Sequence, residues 1–345
     1  MNIGIIGLGF MGSTHFRAIQ QVPGARVSAL CDSIQKRLDG DWRDIRGNIG
    51  ESAGIVDLSG INKYLEVDKF LADPEVDIVD VCLPTPFHRD IAIRAMEAGK
   101  HVLVEKPIAL TLEDADAMVE ASRRTGKKLM VGQVVRFFPQ FDFVKQAVAS
   151  GEYGALLGIH LKRVISKPSW SAGGWFNDPK QTGGIVLDLH IHDSDFIRYL
   201  LGMPDAVQCS GVVSPAGEVV YVSAQYLYEG RNLTVTANSG AIASPTVVFE
   251  QGYDVYLEKA TIRYNSLDEA PVTLYTDEGK QVVDLQKAVD LPNPDGWVNE
   301  IAYAVKCLSE GKEPELLAGA SARDSMYLCL KELESVSTGK PVKVS

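Results

Sequence analysis

Long apolar runs are missing from this chain: nothing in its 345 residues approaches the ~20 consecutive apolar positions of a membrane-spanning helix, so no membrane anchor is expected. Positive charge is in deficit. With 34 Lys and Arg against 45 Asp and Glu the formal net charge is −11, which argues against nucleic acid or an anionic membrane surface as a partner. Cysteine is sparse as well. The five cysteines are odd in number and show no CxxC or other ligand spacing, and Cys31 and Cys82 sit inside apolar strand-like runs. That excludes a disulfide framework and points to buried thiols in a reducing compartment. No basic segment followed by an apolar one trails Met1, so a cytoplasmic protein is the expectation. Repeats and low-complexity segments are absent too. What is present is a hydrophobic content of 46%, enough at this length for two domains.

Residues 2–6 read as a buried strand, and the turn Gly7-Leu8-Gly9-Phe10-Met11-Gly12 follows at once, opening a helix that runs to about Gln21. Strand, glycine turn and helix in immediate succession point to a dinucleotide site, a merely tight βα turn being the other reading. Gly7, Gly9 and Gly12 allow the tight turn, the close approach of a pyrophosphate and close helix–strand packing, while Phe10 and Met11 lie between them. A second strand ends at Asp32, twenty residues past Gly12, where a carboxylate can accept from ribose hydroxyls and repel a 2′-phosphate. NAD is therefore favoured, with Lys36 and Arg37 near enough to keep NADP possible. Residues 39–62 lack periodicity and read as an inserted surface loop.

A third strand (76–83) leads into the stiff turn Pro84-Thr85-Pro86-Phe87-His88, and a fourth (100–104) into Glu105-Lys106-Pro107. Both turns fall at carboxyl ends of parallel strands, where ligands bind open sheets, so Pro84, Thr85, His88, Glu105 and Lys106 join the expected cofactor contacts. Held by a proline beside an acid, Lys106 can polarise a substrate oxygen; alternatively it forms a surface salt bridge with Glu105. Helix 111–125 and strand 128–133 complete this half.

Beyond Gln133 the pattern changes. Strand-like stretches joined by local turns dominate between 155 and 284, suggesting an antiparallel sheet, and two helices (about 296–310 and 316–337) close the chain. In Gly183-Gly184-Ile-Val-Leu-Asp188-Leu-His190-Ile-His192-Asp193-Ser-Asp195, a glycine pair precedes a helical pattern. Asp188 and His192, four apart, would share a face, which suits a carboxylate-oriented imidazole base; a pair that merely pins the helix is the other reading. Asp195 extends that stripe. His190 would point away from His192, so no shared metal is expected.

With GLGFMG, EKP and GGIVLDLHIHDSD in order, the chain resembles the glucose–fructose oxidoreductase/inositol dehydrogenase (Gfo/Idh/MocA) family, as it does in Ala72-Asp-Pro-Glu-Val-Asp77, Ala98-Gly-Lys-His-Val102, Arg136-Phe-Phe-Pro139 and the terminal helices. The resemblance implies an α/β chain: an N-terminal Rossmann domain (1–131) and a C-terminal α/β domain (132–295) with a large, mostly antiparallel open sheet, residues 296–345 packing back on the first. It makes Lys106, Asp188 and His192 the catalytic set, implies a cis bond before Pro107, and pairs the open sheet face with another subunit, giving a homodimer or homotetramer. The expected activity is NAD(P)-dependent oxidation of a secondary alcohol of a sugar, sugar derivative or cyclitol. An NAD-dependent glycosidase using transient oxidation, or a non-catalytic NAD(P)-binding regulator, stands as the alternative. Trp170, Trp175 and Asn177 suggest either a sugar-facing loop or a hydrophobic plug, with Arg136 and His190 as further substrate candidates. The 39–62 insertion, His190 and Gln133 depart from the family pattern.

Overall fold

Residues 1–47, 54–167, 178–247, 249–269 and 272–344 are described by the computed structural model. Contacts divide the chain into two units, the first holding Met1–Val134 and Trp297–Asp324, the second holding the remaining described residues.

The first unit is built on six parallel strands, β1 (Asn2–Ile6), β2 (Arg26–Cys31), β3 (Asn62–Tyr64), β4 (Ile78–Val81), β5 (His101–Glu105) and β6 (Leu129–Gly132). Their order, β3-β2-β1-β4-β5-β6, reverses beside β1, which creates the crevice where open α/β sheets bind ligands. Strands β1, β4, β5 and β6 are nearly continuous runs of buried Ile, Val, Leu and Met, as a sheet covered on both faces requires. The helix Leu112–Thr125 starts on Thr111, whose hydroxyl accepts from the Asp114 N–H, and stops at Gly126 with φ of 69°.

The 39–62 segment differs from the surface loop expected of it. Trp42 is fully buried and packs edge-on against Phe16 with ring centroids 5.0 Å apart, while its indole N–H donates to the Arg37 carbonyl at 2.8 Å. Ile45 and Leu58 of the same segment are buried too, and the ends are tied by Trp42 N–H to Gly54 O and Val56 N–H to Gly40 O. The segment closes with β3, a strand that short polar residues (Asn62-Lys63-Tyr64) hide from pattern reading.

The second unit carries nine strands: β7 (Leu156–Ser166), β8 (Ala206–Val213), β9 (Val219–Leu227), β10 (Thr234–Ala243), β11 (Phe249–Leu257), β12 (Thr261–Asn265), β13 (Val272–Thr276), β14 (Gly279–Val282) and β15 (Val342–Lys343). They run in the order β14-β13-β12-β11-β7-β10-β9-β8-β15, antiparallel except where β7 and β10 pair in parallel. Burial alternates: Ile159, Leu161, Val222, Ala224, Val235 and Ala237 point inward, whereas His160, Lys162 and Tyr221 line an outer hollow of about 810 Å³. Against the inner face, on β7, β9 and β10, lies the segment from Val186 to Leu201. All five cysteines are free thiols, and among the described residues no helix is long and apolar enough to cross a membrane.

Trp42 is the largest fully buried side chain among the described residues. Trp42→Ala should therefore lower the stability of the first unit by about 3–5 kcal/mol, read as an earlier transition in urea.

Candidate active site

Gly7 sits at φ 92° and donates its N–H to Cys31 O at 2.9 Å, and an added Cβ would lie 2.8 Å from the Cys82 carbonyl. On Gly12 a Cβ would fall 2.0 Å from Gly7 O, so both positions exclude side chains. Above Gly9, by contrast, a Cβ would meet nothing within 4 Å. The helix Phe10–Ile19 begins there with no side-chain cap, and the positive end of its dipole suits an anion. Asp32, at the end of β2, is held by the N–H groups of Leu8 (2.6 Å) and Ile34 (2.8 Å), with the Arg37 guanidinium 3.6 Å away. Open space over an uncapped helix end, with a fixed carboxylate one strand over, fits NAD.

At the switch point the helix turns His15 inward, fully buried. Its Nδ1 lies 2.9 Å from Asp80 in the middle of β4, and its Nε2 lies 3.0 Å from Glu105 at the end of β5. Burial alone would lower the imidazole pKa, but the Asp80 charge and hydrogen bond outweigh it and hold it well above 6.5. Burial would likewise raise the Glu105 carboxyl, yet the hydrogen bond and charge of His15, with Lys106, keep it below the usual range. Neither His15 nor Asp80 was expected as part of a site. The signal lay in Asp80 itself: a carboxylate inside the apolar run Val79-Asp80-Val81 must have a partner.

Two expected cofactor contacts are turned inward. Glu105 accepts from His15 and, through its other oxygen, from the Lys106 N–H at 3.0 Å. His88, 1% exposed, has Nε2 2.8 Å from Leu83 O and Nδ1 2.9 Å from Pro107 O, so its ring braces the turns that follow β4 and β5 instead of reaching a ligand. Thr85 is buried in the short 3-10 turn after Pro84. The Lys106-Pro107 bond is cis and Lys106 is half-buried, as are Phe10 and Met11.

In the second unit, Gly183 and Gly184 both take φ near 76–77°, and a Cβ on Gly183 would strike Leu187 at 2.6 Å. After them the chain is not a uniform α-helix: Val186–His190 forms a π turn that passes into the α-helix Ile191–Leu201. Asp188 and His192 are half-buried. Every ionisable neighbour between them and Asp195 is buried. Asp193 accepts from the Arg163 guanidinium at 2.9 Å and from Ser239 Oγ at 2.6 Å. Asp195 continues the expected stripe but is 1% exposed, accepting two Arg136 N–H groups (2.8 and 2.5 Å) and the Ser325 hydroxyl (2.6 Å).

Two substrate candidates are thereby corrected. His190 is fully buried, its Nδ1 donating to Ser239 Oγ at 2.9 Å and its Nε2 3.3 Å from the Tyr226 hydroxyl and Glu332. Arg136, 4% exposed, is committed to Asp195 and lies over the Tyr199 ring at 5.0 Å. Trp170, Trp175 and Asn177 lie outside the described residues.

Residues 1–133 match the GFO_IDH_MocA oxidoreductase family, described by its NAD-binding Rossmann fold, and residues 141–263 match the GFO/IDH/MocA C-terminal domain. The chain belongs to this family. It is an NAD(P)-dependent dehydrogenase with an NAD-binding Rossmann domain. The oxidoreductase is 26% identical to a myo-inositol 2-dehydrogenase of Thermotoga maritima over all of this chain and 98% of that one. A 1,5-anhydro-D-fructose reductase of Ensifer adhaerens is 31% identical over 67% of this chain and 71% of its own. A solved putative myo-inositol dehydrogenase of Sinorhizobium meliloti shares the fold at TM-score 0.80, with 23% identity and full coverage of both chains.

If Arg136 serves the interior of the oxidoreductase rather than its substrate, Arg136→Met should cost about 3–5 kcal/mol by leaving Asp195 uncompensated. Denaturant unfolding should show most of that loss recovered in Arg136→Met/Asp195→Leu.

Proposed function

We propose that this enzyme oxidises a secondary alcohol of a sugar, sugar derivative or cyclitol, with His192 as the base, Asp188 as the group that orients it, and Lys106 as the cation at the reacting oxygen. One observation carries the assignment in the second unit: along 188–195 only Asp188 and His192 among the ionisable groups reach the surface, the others being spent on buried partners. Bound NAD supplies the hydride-accepting ring. His192 takes the hydroxyl proton, since an imidazole near neutrality both accepts and returns it. Asp188 fixes the ring and favours its charged form. Lys106 stabilises negative charge developing on the oxygen. The inositol and anhydrofructose named for the two relatives support a polyol substrate.

A screen over sugars, inositols and sugar acids, followed by reduced nicotinamide, tests the reading. NAD should support faster turnover than NADP because Asp32 opposes a 2′-phosphate. On the best substrate, His192→Ala should lower kcat by on the order of 100- to 10,000-fold with NAD affinity intact, and Lys106→Ala should also lower it, the two combining less than additively. Normal turnover in His192→Ala would sink the assignment.

We further propose that the outer face of the nine-stranded sheet, over which no helix lies at His160, Asn238, Asp254 and Arg263 among the described residues, covers the same face of another subunit. Light scattering at micromolar concentration should give a dimer or tetramer, and a monomer would refute the pairing.

A further inference from the structure

The proposed chemistry leaves His15 unused. Groups from two neighbouring strands enclose its ring: Asp80 of β4 on Nδ1, Glu105 of β5 on Nε2, and Cys82 just past β4 with Sγ 3.6 Å from Nδ1. Burial pushes the Cys82 thiol up, so it stays protonated. A neutral imidazole donates through one nitrogen only, and here both nitrogens face carboxylate oxygen. A doubly protonated ring between two carboxylates satisfies both contacts; a neutral ring would set a lone pair against a carboxylate in the interior, at high cost. His15, Asp80 and Cys82 do bring ligand-type atoms within 4.8 Å of one another, but both ring nitrogens are already taken by hydrogen bonds. From Glu105 the line continues to the Lys106 N–H.

We propose that His15 is a positioning residue, an imidazolium that ties the Lys106-Pro107 turn, through Glu105, to the helix of the glycine turn. The helix end suited to the dinucleotide and the lysine assigned to the reacting oxygen then keep one fixed separation. The inference rests on the role given to Lys106 above. A misplacement of that group by about 1 Å would cost on the order of 100-fold in rate.

Cofactor-free protein labelled with 15N-histidine and 15N-lysine supplies the first test. At about pH 8, His15 should still show the two-bond correlation pattern of an imidazolium, and His15→Gln should erase it and shift the Lys106 backbone amide. A neutral-ring pattern, or an unmoved Lys106 amide, overturns the proposal. Because the folded value is raised, the stability His15 contributes is full below its ordinary 6.5 and lost as pH climbs through the folded value. The melting advantage of the native protein over His15→Gln should accordingly shrink at alkaline pH; an advantage that grows there counts against the ion pairs. In turnover with NAD and the substrate found by screening, His15→Gln should lower kcat about 10- to 100-fold. Added to Lys106→Ala it should cost less than about threefold more, and additive losses overturn the coupling. Full turnover in Lys106→Ala alone would instead sink the assignment of Lys106, leaving the spectra and melting curves to judge His15. Should His15→Gln fail to fold, Glu105→Gln cuts the same line and should move the same amide; an unmoved amide there refutes the proposal.

Discussion

Pairing of buried charge is the constraint on which the second unit's geometry rests. Asp193 and Asp195 lie two apart on one helix and are both withdrawn from water, one onto Arg163 of the sheet and one onto Arg136. Ions of this kind cost several kcal/mol each to desolvate, and only close, multiply hydrogen-bonded partners offset that cost. Rotating the helix by one residue would strand a carboxylate on each side. The rotation is thereby set, and so is the residue left outside: His192, with Asp188 on the widened turn before it. Ser239 joins the two layers, accepting from His190 and donating to Asp193. The chemistry assigned to two half-exposed side chains thus depends on four buried ones that touch no substrate.

The first unit solves a related problem with different residues. A glycine turn needs its helix close to the sheet, and Gly12 permits this by carrying nothing beneath it. The approach brings the first turns of the helix over β4 and β5, where Asp80 and Glu105 would otherwise repel each other across the interior. Placing a cation between them turns two liabilities into a brace. Asp32 stays outside this arrangement and is steadied by two backbone N–H groups, with the Arg37 guanidinium close by.

Much of this was legible in the residues. Glycine spacing and strand patterning pointed to the dinucleotide turn and to a mostly antiparallel second sheet before any coordinates, and the double glycine led to Asp188 and His192 as candidates; the parallel pairing of β7 with β10 was not foreseen. What escaped shares a cause: it depends on which side of an element a polar residue faces after packing. A regular 3.6-residue pattern could not show the π turn at Val186–His190. Nor could polarity reveal that Arg136 and His190 point inward, since charged and neutral-polar residues are expected at surfaces unless a partner is known. Trp42 failed for the opposite reason. One aromatic in a polar, glycine-rich stretch has no periodic company, yet a single large ring suffices to pin an insertion to the core.

The short strand β15 carries a consequence for how this sheet meets other chains. Val342 and Lys343 pair with Val207 and Ala206, so the first two residues of β8 are covered along that edge. At the far side β14 is fully exposed, and it carries Gly279 and Lys280. A glycine weakens strand order and a lysine repels its own copy, so the uncovered margin is poorly suited to recruiting a foreign strand. Strand addition is thus hindered at one edge by a short paired strand and discouraged at the other by composition, in keeping with the proposed pairing through the broad face.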